Sequence, residues 1–245
     1  MAVMTCRYFS DVLELNTTAT VILPDRWPST APERLPVLYL LHGMSDDDST
    51  WTRRTSIERY VEDRGIAVVM PAVHRSFYVD QAEGYPYWTH IAEEVPTKMA
   101  AFFPISLKRE ETFVAGLSMG GYGAIKLALH HPDRFAAAAS LSGALNAARR
   151  PDRHPEEWQR TFGSSTRAVA HGDDLLDLLA AAEPSQLPRL FAWCGSQDWI
   201  LDDSRTFWDS CRSAGVSITY EESDGDHDWA SWDQQIQRVL DWLEA

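Results

Sequence analysis

Cysteine, long apolar runs and positive charge are all scarce in this chain, and each scarcity excludes something. Only 3 Cys occur in 245 residues: Cys6, Cys194 and Cys211. They form no CxxC or Cys/His spacing, which argues against a zinc site and against a disulfide scaffold. An odd count, with no basic start and apolar core in MAVMTCRYFS to act as a secretory signal, leads us to expect a reducing, cytoplasmic setting. No apolar stretch reaches the roughly 18 residues that a membrane span needs. Lys and Arg number 22 against 36 Asp and Glu, a formal net charge of -14. Such a chain repels phosphate backbones and anionic headgroups, so neither nucleic acid nor a membrane surface is an expected partner. Internal repeats and low-complexity tracts are missing too.

What is present fits one soluble domain spanning 1–245. Hydrophobic residues make up 44% and charged residues 24%, ordinary values for a packed core. Ten Trp are not ordinary, and they point to an aromatic-lined site. Two β-like stretches, Thr5–Ser10 and Thr17–Leu23, precede a Pro-rich surface connection from Pro24 to Pro36. From Val37 the pattern alternates. VLYLLHG, IAVVMP, ETFVAG, FAAAASLSG, LFAWCG and VSITYEE read as strands, the continuous apolar ones buried on both faces. Helices are expected at Thr55–Arg64, Trp88–Phe102 (with Pro96 in a kink or first turn), Met119–His131, Asp202–Ala214 and Trp229–Leu243. The fold class is therefore α/β, a mostly parallel central sheet covered by helices on both faces. Its ligand site belongs at the C-terminal ends of the strands. Residues 144–188 break the rhythm. They are charge-rich, helical around Asp173–Ala182, and read as a small helical cap inserted over those strand ends.

The chemistry-bearing residues fall where that rule directs. Gly116-Leu117-Ser118-Met119-Gly120 is G-x-S-x-G between a strand and a helix. A tight turn of this kind lifts a Ser hydroxyl above the sheet and needs small residues two positions to either side. Nucleophilic Ser118 requires a base, and the base requires an orienting acid, in the chain order Ser, acid, His. His227 alone lies in a loop after a late strand and before the last helix. Asp198 follows the preceding strand, whereas Asp202 and Asp203 look like first-turn helix residues. Asp224, Asp226 and Asp228 imitate the opening of a calcium loop, but Trp229 stands where Gly is required and Gln235 where Glu is required, so no metal is expected. The N–H groups of Met119 and of Met44, beside the permissive Gly43, are the expected oxyanion donors.

These segments resemble a known family. LYLLHGMSDDDSTW (Leu38–Trp51), VVMPAVHRSFYVD (Val68–Asp80), YPYW (Tyr85–Trp88) and GLSMGGYGA (Gly116–Ala124) are similar to the esterase D and tributyrin esterase-like group of α/β-hydrolases. The resemblance runs from about Val37 to the C-terminus, apart from most of the insert. It implies a serine carboxylesterase with Ser118, Asp198 and His227 as triad, and no metal or organic cofactor. S-formylglutathione hydrolase or thioesterase activity, and acyl transfer, are the alternatives on the same triad. Against the former, Ser45–Asp48 replaces the longer Thr-Cys loop of formylglutathione hydrolases. A small-molecule ester with a short acyl group is the expected substrate. Gly43, His74, Trp88 and Trp199, with Trp51 and Trp229, are expected around the pocket, and Trp193, Trp208, Trp232 and Trp242 in packing. Asp46–Asp48, Asp202, Asp203, Asp224, Asp226 and Asp228 would form an acidic rim disfavouring anionic esters. Oligomeric state, a homo-oligomer included, stays open.

Overall fold

The computed structural model describes residues 1–25 and 34–244, so most of the Pro-rich connection lies outside the described residues. Eight strands form one sheet in the order β1-β2-β4-β3-β5-β6-β7-β8. The strands are β1 (Ala2–Ser10), β2 (Leu15–Leu23), β3 (Val37–Leu41), β4 (Ala67–Pro71), β5 (Thr112–Leu117), β6 (Ala137–Leu141), β7 (Arg189–Gly195) and β8 (Thr219–Ser223). β1 pairs antiparallel with β2, and β2 with β4. The other pairings are parallel. This is the α/β-hydrolase fold.

The inner strands carry apolar residues without alternation because both faces are covered. Val37, Tyr39 and Leu41 pack into one core layer, Leu38 and Leu40 into the other. In chain order the helices are α1 (Thr50–Arg54), α2 (Ile57–Val61), α3 (Tyr87–Thr89), α4 (Val95–Phe102), α5 (Met119–His130), α6 (Pro155–Phe162), α7 (Ser165–Ala170), α8 (Leu175–Ala181), α9 (Leu201–Ser213) and α10 (Trp229–Glu244). None of the described helices is long and apolar enough to cross a membrane.

Three local departures from expectation have physical causes. The single helix expected at Thr55–Arg64 is replaced by α1 and α2, which flank Thr55–Ser56. The Thr55 hydroxyl donates to the Trp51 carbonyl (2.6 Å) and accepts from Ile57 N–H (3.1 Å), competing with the helical ladder. Pro96 does sit in the first turn of α4, and the turn before it, His90–Glu94, widens to a π-helix. Proline has no N–H for the Ala92 carbonyl, and Arg134 Nη1 serves that carbonyl instead at 2.9 Å. Between β6 and β7, α6 and α7 join the expected α8. Pro155 with Glu156 and Glu157 opens α6, and Ser164 caps α7.

Candidate active site

Ser118 stands between β5 and α5 with φ 51° and ψ -116°, a conformation that side chains rarely adopt. The turn is possible because its neighbours lack side chains. A Cβ on Gly116 would lie 2.4 Å from the backbone of Gly120, and one on Gly120 would lie 2.4 Å from the Leu41 carbonyl. Ser118 N–H donates to Leu141 O at 2.9 Å, fixing the turn to the end of β6.

The residues expected as base and acid come from the last two strand ends. His227 Nε2 lies 3.1 Å from Ser118 Oγ, and Nδ1 lies 3.0 Å from both Asp198 carboxylate oxygens. The two loops are fastened to each other. Gln197 N–H donates to Gly225 O, the Gln197 side chain accepts from Gly225 N–H, and both contacts are 3.0 Å. Asp198 is buried, which would raise its pKa, but hydrogen bonds from His227, Ile200 N–H and Ser142 hold it below the usual carboxylate value. An ionised Asp198 accepts a hydrogen bond from Nδ1–H, which leaves Nε2 unprotonated to accept from the Ser118 hydroxyl.

The loop after β3 is held as firmly. His42 is buried, and Val73 N–H donates to its Nε2 at 3.1 Å, so Nδ1 carries the proton and donates to Gly43 O at 2.7 Å. Burial lowers the His42 pKa to about 4. Gly43 N–H is taken by the Asp46 carboxylate at 3.2 Å. Met119 opens α5, where a first-turn N–H has no helical acceptor, and no acceptor among the described residues takes the Met44 or Met119 N–H.

Ser118 and His227 open into a cavity of about 460 Å³. Of the residues expected around it, Gly43, Met44, Trp199 and Trp229 line it. The others do not. The loop after β4 turns at His74 (φ 50°), and that side chain enters a neighbouring cleft that shares only Met44, Ser45 and Asp46 with the cavity. Trp88 packs away from it, on Lys126 of α5 (4.1 Å) and against His130 (4.8 Å). Trp51 is a core residue, 1% exposed, its indole N–H donating to Leu41 O. Trp232, expected in packing, instead lines the cavity, its N–H donating to Ser142 Oγ at 3.1 Å. Sequence reading also missed Phe77, Trp158 and Phe162 in the wall. Neither motif nor periodicity marks such residues: α6 brings Trp158 and Phe162 there, and the loop after β4 brings Phe77.

The acidic rim is corrected as well. Among the described residues, the acids that line the cavity are Asp46, Glu157 and Asp228, and Arg150, Arg153 and His154 line it with them. Asp203 is buried behind the wall and paired with both arginines. Asp48 faces β2, where it accepts from Thr18 and Thr20.

The family model described as "Putative esterase" matches residues 10–243. An acetyl esterase of Caldicellulosiruptor saccharolyticus is 30% identical over 261 residues, covering 99% of this chain and 98% of its own. Among solved structures, the Staphylococcus aureus fluorophosphonate-binding serine hydrolase F is 38% identical with a TM-score of 0.91, over 99% of this chain and 98% of its own. The S-formylglutathione hydrolase of the same organism is 37% identical with a TM-score of 0.88, over the same shares. On its sequence and its fold, the chain belongs to the esterase family of α/β-hydrolases and is a carboxylic ester hydrolase.

Proposed function

We propose that the chain is a serine carboxylesterase for short-acyl esters, acetyl or butyryl in type, working through an acyl-enzyme. The observation that carries this reading is the unbroken chain of contacts from Ser118 Oγ through His227 to Asp198, at 3.1 and 3.0 Å. Ser118 Oγ attacks the ester carbonyl carbon while His227 Nε2 takes the hydroxyl proton. Asp198 keeps the imidazole in the right tautomer and stabilises the imidazolium. Met44 and Met119 N–H groups hold the tetrahedral oxyanion, each worth roughly 3–4 kcal/mol. Collapse breaks the bond to the alkoxy oxygen, and His227 returns its proton to the departing alcohol. Water then attacks the acyl-Ser118 ester by the same route and releases the acid. Residues 144–188 act as the cap, and the indoles of Trp158, Trp199, Trp229 and Trp232 restrict the acyl chain.

Ser118→Ala abolishes both p-nitrophenyl acetate hydrolysis and fluorophosphonate labelling while the circular dichroism spectrum is unchanged. Full activity in that variant would overturn the assignment. A p-nitrophenyl series from acetate to octanoate reads the acyl cutoff. The kinship with an S-formylglutathione hydrolase keeps a thioesterase reading open. Matched thioester and oxyester substrates, compared by kcat/KM, decide between them.

A further inference from the structure

Two indoles flank His227, and they are held in different ways. Trp232 meets the imidazole edge-on at 5.0 Å and is bolted to the core through Ser142. Trp199 lies 4.9 Å from the same ring, yet it is 59% exposed and its indole N–H bonds to no described residue. A surface indole on the loop that carries the acid would swing unless something clamps it. The guanidinium of Arg153 lies over its ring at 4.8 Å. Arg153 is in turn fixed by two bonds to Asp203, at 2.8 and 3.0 Å. Asp203 is 1% exposed, so its carboxylate must keep a cationic partner. Arg150 adds a weaker contact at 3.3 Å.

Building on the esterase reading, we propose that Arg153 is a positioning and specificity-determining residue. Pinned by Asp203, it clamps Trp199 against His227. The clamp fixes the imidazole and also sets the height of the pocket wall. It joins the insert, which supplies Arg153, to the loop that supplies both the acid and the clamped indole. A planar, bidentate cation suits this position, because one face of it stacks on the indole while its edge grips the carboxylate.

A double-mutant cycle tests the clamp, with kcat and KM measured on p-nitrophenyl acetate and octanoate. Trp199→Ala is expected to lower kcat for acetate about tenfold with little change in KM, since a loosened base costs rate rather than binding. Arg153→Ala is expected to lower kcat by about two- to fivefold, the worth of an exposed cation–π contact. The double variant should be no worse than Trp199→Ala alone, because both changes remove one contact. Both single variants should raise the octanoate-to-acetate ratio, and Trp199→Phe should recover most of the loss. If Arg153→Ala fails to fold, Arg153→Lys, which keeps a charge beside Asp203, takes its place in the cycle. A double variant whose loss equals the product of the single losses would overturn the clamp. So would a lowered melting temperature with kcat and acyl ratio unchanged, which would reduce Arg153 to a staple for Asp203. A wild-type protein that neither reacts with fluorophosphonate nor cleaves either ester would instead remove the esterase reading on which the clamp rests.

Discussion

His42 shows what a single residue contributes outside the triad. Its ring is neutral because burial disfavours the charge and because Val73 N–H needs an acceptor at Nε2. Its folded pKa, about 4, lies below the ordinary 6.5. The unfolded chain therefore binds more protons between these values. The associated stability is fully present above pH 6.5 and is lost as the pH falls toward 4, with a limit of about 3 kcal/mol. His90, His130 and His131 are also lowered by burial and act in the same direction. Urea unfolding at pH 7 and pH 4.5 should show this loss, and His42→Gln should show a shallower one. An equal pH dependence in the variant would contradict the account. That Ser118, His227 and Asp198 come together was legible in the sequence because motif, loop position and chain order each narrow the choice. The role of His42 was not, since one partner is the distant Val73 and the tautomer depends on it.

At the scale of the element, the turn between β5 and α5 decides how closely helix and sheet approach. Gly120 faces the carbonyls of Leu41 and His42, backbone atoms that cannot yield. Gly120→Ala should therefore cost at least about 1–3 kcal/mol and displace α5 from β3. Gly65→Ala is the control: φ is 63° but nothing lies within 4 Å of the added Cβ, so only left-handed strain of about 1–2 kcal/mol applies. Melting of the two variants checks the difference; Gly120 has no positive φ, so a loss there no larger than at Gly65 would mean that the collision is relieved at little cost. The strands were readable from their unbroken apolar runs, and α5 and α10 from their placement after strong signals. The boundary at Thr55 was not, because one hydroxyl bonding its own backbone leaves no periodic trace. α6 was missed for another reason: its opening Pro155 and acidic first turn are visible signals, but charge-rich composition masked them.

Over the whole molecule, the net charge of -14 turned out to be a poor guide to the site. The acids that line the cavity share its wall with bases. Glu157 is paired with Arg75 in two bonds of 2.6 Å, and Arg150 and Arg153 bring positive charge to the wall. The cavity should therefore discriminate little between anionic and neutral esters. The ratio of kcat/KM for an anionic and a neutral p-nitrophenyl ester of equal size should stay within about twofold between roughly 0.01 and 1 M salt, while the screening length falls from about 30 to 3 Å. A ratio that climbs steeply with salt would restore the repelling rim. Composition could not foresee this balance, since it counts charges without saying which of them face one another.

The division of labour between sheet and insert has one more consequence. Ser118, Asp198 and His227 stand on three separate strand ends, and the sheet holds them there. Nine of the 21 described residues around the cavity lie instead between Ala144 and Phe162, a stretch with no strand and no member of the proposed triad. Substitutions there can reshape what the cavity admits while the reacting groups keep their spacing. Variation in that short stretch is thus a route by which one reaction could be carried from ester to ester across related chains.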